Sequence, residues 1–237
     1  MGDDRSRDLV GYARELEERD RDAAARIDAV AAVLRIVDEL RARATQVMAG
    51  LDAIPAEIEH AERDERDARA READARAELD EAKRRLEDVQ RSRRAGAEAR
   101  EHAERAVRRA AVTAGDAATA VARARERLEA VIRTEAALQA EGEGLAVEAR
   151  DAAAAVSGLS RVSDSGRSAP GGTVAEIAEW GARVHAALFV VRGGLESERE
   201  RIVLEANGLA AAAIGDQGGS ASVALVRRRL EEALGRG

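Results

Sequence analysis

A long uninterrupted stretch of helix-forming residues is the feature that most limits how this chain can fold. From Pro55 to about Leu159 the sequence contains no further proline and consists mainly of Ala, Arg, Glu and Asp. Ala, Arg and Glu lose little side-chain freedom in a helix. Acids also precede bases by four residues, and each such pair adds about 0.2–0.5 kcal/mol to a helix. The stretch predicts one long helix, or a helix folded once on itself.

Apolar residues in this stretch recur with a period of 3.5, which is typical of helices that wind around one another. The seam is formed by two series: Ala75, Leu79, Ala82, Leu86, Val89, and Val121, Ala124, Leu128, Val131, Leu138, Leu145. Between Ala61 and Ala77 the seam holds only Ala and charges, which indicates a solvated charged helix. We therefore predict an all-α fold: long helices forming an elongated coiled coil or an antiparallel helical hairpin, with a smaller C-terminal helical segment. The best fold-back candidate is 113–116.

Changes in composition divide the chain into four segments. Residues 1–54 form an amphipathic helix and a turn, since Gly50 suits a helix end and Pro55 the first turn of the next helix; a kink in a continuous helix is the alternative. The predicted turn lays this first helix back against the rod that follows. Residues 55–157 form the charged coiled-coil rod, 158–173 a Gly/Ser/Pro linker, and 174–237 the C-terminal helical segment.

The C-terminal segment is the most apolar part of the second half of the chain. Thr173 and Glu176 have the spacing of a capping box. Gly193-Gly194 is a candidate bend or end, 215–220 reads as a loop, and Ser222 is a candidate cap for a short final helix. Two of the three aromatic residues lie in this segment, so we expect a partner to dock here. The candidate docking surface consists of Trp180, Val184, Leu188, Phe189 and Val191.

Residues with the chemistry of a catalytic or metal site are scarce. The chain has no cysteine and three histidines. Glu57 and His60 have the Glu-x-x-His spacing of di-iron bundles, but such a site needs the motif twice. We therefore expect no catalytic residue, no cofactor, no bound metal and no small-molecule substrate. A helical-bundle metalloprotein is the less favoured alternative.

The charges are finely mixed, with a formal net charge of −7. Basic clusters occur at 83–85, 91–94 and 227–229, without aromatic neighbours on which bases could stack. Nucleic acid is therefore not favoured as a partner. A membrane surface is possible but not favoured, so association with a membrane or chromosome through Arg clusters is kept as an alternative.

Arg outnumbers Lys, of which Lys83 is the only example, and this indicates a bacterial source with GC-rich coding. No signal peptide or membrane span is visible, so we expect a cytoplasmic protein.

The interleaved Glu-Arg runs, such as 69–85, resemble those of uncharacterised Ala/Arg-rich coiled-coil proteins of high-GC bacteria. This resemblance covers about 56–157 and carries no site residues. The length and helical layout are also similar to the phage-shock and thylakoid-vesiculation membrane-remodelling family, whose members begin with an amphipathic membrane helix; here residues 1–8 are highly charged.

Together these patterns predict a non-enzymatic structural or interaction protein. The rod would act as a spacer or join copies of the chain into a homo-oligomer, and the C-terminal helices would dock a protein partner.

Overall fold

The computed structural model describes residues 2–92, 96–159, 169–215 and 221–234, with side chains from residue 7 onward. The described residues form four helices: α1 (Gly2–Arg91), α2 (Ala97–Gly158), α3 (Val174–Ile214) and α4 (Val223–Leu234). None of the described residues is in a strand. The prediction of an all-α protein built on long helices is confirmed.

The turn predicted near residues 50–55 is wrong, because α1 continues through both Gly50 and Pro55. A proline inside a helix removes one hydrogen bond and costs about 3 kcal/mol. Packing of the neighbouring turns outweighs that cost: Ile54 is 4% exposed. Gly50 leaves room for Leu138 on α2, since a Cβ at position 50 would lie 2.9 Å from Leu138 Cδ1. The first helix therefore does not fold back against the rod.

The chain divides into two compact units. The first, called the core unit here, combines Met1–Thr45 with Glu143–Gly237. The second, called the hairpin unit, is Gln46–Gly142. The units differ from the predicted segments because both α1 and α2 contribute to each unit.

In the hairpin unit, α1 and α2 pack antiparallel. Gly50 lies beside Leu138, Glu65 pairs with Arg125 at 3.0 Å, and Ala68 clusters with Val121 and Ala124. Later residues of α1 thus meet earlier residues of α2. A seam of buried and half-buried positions on α1 follows an unbroken alternation of four and three residues from Val47 to Val89: 47, 51, 54, 58, 61, 65, 68, 72, 75, 79, 82, 86 and 89. Positions 48, 50 and 64 beside this seam are half-buried as well.

Helix α1 ends at Arg91, and α2 is continuous from Ala97 to Gly158, so the prediction of a fold-back at 113–116 is wrong. Helix α2 is continuous there: Thr113 Oγ1 donates to Arg109 O at 3.2 Å, and Thr119 Oγ1 donates to Gly115 O at 2.9 Å. These are hydrogen bonds across one helical turn, not the caps of a helix end. Gly115 has open space around it and is simply an exposed helical glycine.

The segment 61–77 is packed, and the prediction of a solvated charged helix is wrong. Ala61, Ala68 and Ala75 are each 5% exposed. The intervening seam positions are Glu65 and Glu72, whose side chains are only 13% and 15% exposed. Small alanines let the two helix backbones come close, so a seam with little apolar area still excludes water.

In the core unit, α3 packs antiparallel to the first part of α1. Arg199 Nε donates to Asp20 Oδ1 at 2.8 Å, and His185 pairs with Asp38 further along α1. Helix α4 packs against both at one end, around a cluster that includes Leu16, Ile202 and Leu230. The last turns of α2 contribute further buried side chains: Leu145 (0% exposed), Ala149 (0%), Ala152 (5%) and Val156 (0%).

The helix ends of the core unit follow the sequence signals. Thr173 and Glu176 form the predicted capping box. Gly215 caps the end of α3 with φ 67°, a left-handed conformation that favours glycine. Ser222 Oγ accepts a hydrogen bond from Leu225 N at 3.4 Å at the start of α4. Most of the predicted linker, 160–168, and residues 216–220 of the predicted loop lie outside the described residues. The Gly193-Gly194 pair neither ends nor interrupts α3.

Candidate interaction groove on α1 and α3

Two adjacent depressions lie on the surface between α1 and α3 in the core unit. The first has a volume of about 520 Å³ and is lined by Asp28, Ala31, Leu34, Arg35, Asp38, His185, Phe189 and Arg192. The second has a volume of about 560 Å³ and is lined by Ile27, Glu196, Arg199, Glu200, Val203 and Leu204. Neighbouring residues line the two depressions. On α1, Ile27 of the second depression precedes Asp28 of the first. On α3, Arg192 Nε of the first depression donates to Glu196 Oε1 of the second at 2.8 Å. We call the two together the α1/α3 groove.

Helix periodicity explains why these residues share one face. On α3 the groove residues 185, 189, 192, 196, 199 and 203 alternate steps of four and three. That alternation keeps side chains on a single stripe of a helix. The stripe runs beside the buried stripe of the same helix, which includes Val184, Leu188 and Leu195. Helix α3 therefore presents one face to the core and a neighbouring face to the groove.

Exposed apolar side chains stand at both ends of the groove. Phe189 is 66% exposed and Leu204 is 71% exposed. With a rise of 1.5 Å per residue, they lie about 22 Å apart along α3. Ile27, Ala31 and Val203 lie between them and are half-buried. Scattered apolar residues on a surface are ordinary, whereas a row of them along a concave groove marks an interaction site.

Polar contacts hold the groove walls in place. His185 Nδ1 lies 2.6 Å from Asp38 Oδ1, which joins α3 to α1. The His185 ring also stacks on Phe189, with centroids 6.5 Å apart and an interplanar angle of 13°. The hydrogen bond to Asp20 raises the pKa of Arg199, and the nearby charge of Asp28 raises it further. The groove is therefore lined by side chains whose positions are set by contacts between α1 and α3.

The structure separates the five residues of the predicted docking surface. Trp180, Val184 and Leu188 are completely buried, so they belong to the core and cannot be touched by a partner. Phe189 is exposed and Val191 is half-buried. The reason is the spacing of three and four residues that joins the first three to Ile177, which is the spacing of a core stripe. Phe189 stands one residue outside that stripe, and this offset was the signal in the sequence for a second face.

Trp180 has one further property. Its indole Nε1 is buried and has no hydrogen-bond partner. A buried donor without a partner costs about 1–3 kcal/mol. Trp180 therefore contributes to the core by its size and not by its polar atom.

A larger depression of about 660 Å³ lies in the hairpin unit between the end of α1 and the start of α2. Its apolar lining consists of Ala82, Val89, Ala99, Ala103, Ala106 and Ala110. Alanine offers a partner little apolar area, and the described residues that line this depression include no Phe, Tyr or Trp. The α1/α3 groove is smaller at each depression but carries the bulky exposed side chains, so we consider it the better candidate.

Several of the basic residues singled out in the sequence have acidic partners. Lys83 pairs with Asp80 at 3.8 Å, and the guanidinium groups of Arg85 and Arg91 bond to acids one turn earlier. Arg227 bonds to both Glu17 and Glu231, so this residue helps to hold α4 in place. Arg93 and Arg94 lie outside the described residues. The described part of these clusters is thus largely neutralised within the chain.

His60 of the Glu57–His60 pair lies 3.8 Å from Asp64 on the same helix. Across the four described ranges, no group of three or more His, Cys, Asp or Glu side chains is placed to hold a metal ion. Within those same ranges, none of the helices combines the length and the apolar character needed to cross a bilayer.

Comparison of the chain with protein-family models, with curated proteins and with solved structures finds no match.

Proposed function

We propose that this protein is a non-enzymatic helical scaffold that binds a partner protein through the α1/α3 groove. The observation that carries the proposal is the 66% exposure of Phe189 beside a groove with a second exposed apolar side chain, Leu204, at its other end. Aromatic side chains are among the residues that contribute most to protein–protein binding. In this proposal the hairpin unit acts as a spacer.

The charge pattern supports a protein partner over an anionic surface. The groove carries both signs, including Asp28, Glu200 and Arg35. A polyanion is held by many unneutralised cations acting together. The described arginines near the end of α1 are instead paired with acids one turn away. The cysteine-free composition is consistent with a reducing cytoplasmic setting for this scaffold.

Partner capture with two matched variants tests the proposal. Phe189→Glu places a charge in the groove, whereas Val190→Glu places the same charge on the next residue, which is 73% exposed and does not line the groove. We expect proteins retained by the wild-type chain to be retained by the Val190 variant and lost from the Phe189 variant. Circular dichroism of both variants checks that the helices are intact. Equal retention by all three chains would contradict the proposal.

A further inference from the structure

The first part of the surface between α1 and α3 is already occupied by a helix, α4. Its stripe of Val223, Val226 and Leu230 is at most 1% exposed and packs in the cluster formed with α1 and α3. Beside this stripe, Arg227 donates to Glu17 on α1. The start of α4 is fixed by Asn207 on α3, whose Oδ1 accepts from Ala221 N at 3.1 Å. The chain itself thus shows what kind of element fits between these two helices.

The α1/α3 groove lies on the same side of both helices as α4. Asp28 follows Glu17 by eleven residues, which is about three helical turns and returns to the same face. Glu200 precedes Asn207 by seven residues, about two turns, with the same result. The groove therefore continues the line of α4 along α1 and α3. Among the described residues, no helix occupies this continuation.

The chemistry of the continuation repeats that of the α4 site. Ile27, Ala31 and Val203 provide half-buried apolar contacts, as the cluster residues do under α4. Asp28 offers a carboxylate on the groove face of α1, as Glu17 offers a carboxylate to α4 on the same face. Phe189 and Leu204 add large exposed apolar surfaces that the described chain does not cover.

We propose that the α1/α3 groove binds an amphipathic helix of a partner protein, lying in line with α4. Its apolar residues would be spaced by three and four, as in other helices that bind in grooves. A basic residue beside them would face Asp28, as Arg227 faces Glu17. The 22 Å between Phe189 and Leu204 corresponds to about fifteen residues of helix. This inference rests on the proposed function and specifies the partner.

A peptide with the sequence of residues 221–234 is a direct probe, because it carries the pattern that already fits between α1 and α3. The peptide is labelled with a fluorophore and titrated with the full-length chain, and binding is read by fluorescence anisotropy. We expect saturable binding, and we expect a scrambled peptide of the same composition to bind at least tenfold more weakly.

Two glutamate substitutions at alanine positions of α1 show where the peptide binds. Ala31→Glu fills the groove, whereas Ala29→Glu places the same side chain on an exposed position of α1 that does not line it. We expect affinity to fall at least tenfold for the first variant and to stay unchanged for the second. Binding that survives Ala31→Glu would mean that the peptide exchanges with the chain's own α4, and this would overturn the proposal. No binding to the wild-type chain would overturn it as well.

The outcomes also separate this inference from the proposed function. Partner capture that depends on Phe189, combined with a peptide that does not bind, would leave the scaffold function standing and refute the helical occupant. Sedimentation tests whether a second copy of the chain occupies the groove instead. If the wild type is a dimer, and Ala31→Glu converts it to a monomer whereas Ala29→Glu does not, the groove binds a second copy of the chain and the proposal of a partner helix is wrong.

Discussion

The hairpin unit and the core unit use the same heptad spacing but fill it with different side chains. In the middle of the hairpin unit the seam of α1 consists of Ala61, Ala68 and Ala75, with glutamate at positions 65 and 72. In the core unit, positions spaced by three and four residues carry Ile177, Trp180 and Leu188, none of which is exposed. The apolar area removed from water per turn is therefore much larger in the core unit than in this middle part of the hairpin, and stabilisation follows that area at about 25 cal/mol per Å².

The difference shows that spacing determines which faces meet, whereas residue size determines how strongly they hold. The hairpin unit relies on helix propensity and on exposed ion pairs one turn apart, such as Glu81–Arg85, each of which adds a few tenths of a kcal/mol. The core unit relies on burial, and it also presents bulky side chains on a second face. A partner that needs a stable, shaped surface is therefore expected to bind the core unit.

The largest expected effect comes from removing the biggest buried side chain of the core unit. Trp180→Ala should lower the free energy of unfolding by about 3–5 kcal/mol, because it leaves a large cavity. Ala68→Gly, at the centre of the hairpin seam, should cost only about 1 kcal/mol through helix propensity. Denaturant unfolding followed by circular dichroism measures both. Equal costs would contradict the contrast between the units, and Phe189→Ala, at an exposed position, serves as the neutral control.

A gain in stability is expected in the hairpin unit from Pro55→Ala. The position is exposed, so the change affects the backbone alone. Restoring the N–H that bonds to Leu51 O and removing the ring clash should raise the free energy of unfolding by about 1–3 kcal/mol. Thermal unfolding measures the change. A lower melting temperature would show that the structure depends on the proline.

A matched pair of glycine substitutions compares packing in the two units. At Gly181 in the core unit, a Cβ would lie 2.9 Å from Arg41 Cβ and 3.6 Å from Arg41 Cα, so Gly181→Ala should destabilise by about 1 kcal/mol or more. At Gly115 in the hairpin unit nothing lies within 4 Å, so Gly115→Ala should stabilise by about 0.5–1 kcal/mol. Opposite signs in denaturant unfolding are the expected result. The same sign for both would mean that the helices of the core unit are not held close at this crossing.

The smallest expected effect is a loss, at acidic pH, of the stability that ion pairs of Glu231 on α4 contribute. Hydrogen bonds from Arg14 and then Arg227 lower the pKa of Glu231 below its ordinary value of 4.5. A carboxylate with a lowered folded-state pKa contributes stability that is present above its unfolded pKa and lost as pH falls through the folded pKa. The stability difference between the wild type and Glu231→Gln should therefore be present at neutral pH and disappear at a pH below 4.5.

Unfolding curves at several pH values measure this difference, with Glu232→Gln as the control because Glu232 is exposed beside Glu231. A difference between the wild type and Glu231→Gln that persists at the lowest pH would contradict the role of the ion pairs in holding α4.

Local patterns predicted the helices and their faces well. The seam from Ala75 to Val89 is buried or half-buried as expected, and the caps at Thr173 and Ser222 are present. The breaks were predicted poorly. Pro55 and Gly115 are themselves exposed and are unfavourable in a helix by propensity, but packing of their neighbours, Ile54 beside Pro55 and Ala114 and Ala117 beside Gly115, keeps both helices continuous. Local sequence patterns do not contain these tertiary contacts, so they could not predict that the helices continue.

The groove was predicted only in part, for a similar reason. Phe189 could be identified from the sequence as a bulky residue in an apolar helix. Whether Phe189 lines a groove, however, depends on Asp28, Ala31 and Asp38, which lie about 150 residues earlier on α1. The sequence therefore indicated the helix that carries the surface but not the second wall of the groove.

Hydrogen–deuterium exchange of the full-length chain, with and without a partner isolated by the Phe189-dependent capture, shows which unit the partner covers. We expect the partner to slow amide exchange in residues 27–38 and 185–204 and to leave residues 46–142 unchanged. Protection confined to the hairpin unit would refute partner binding in the α1/α3 groove.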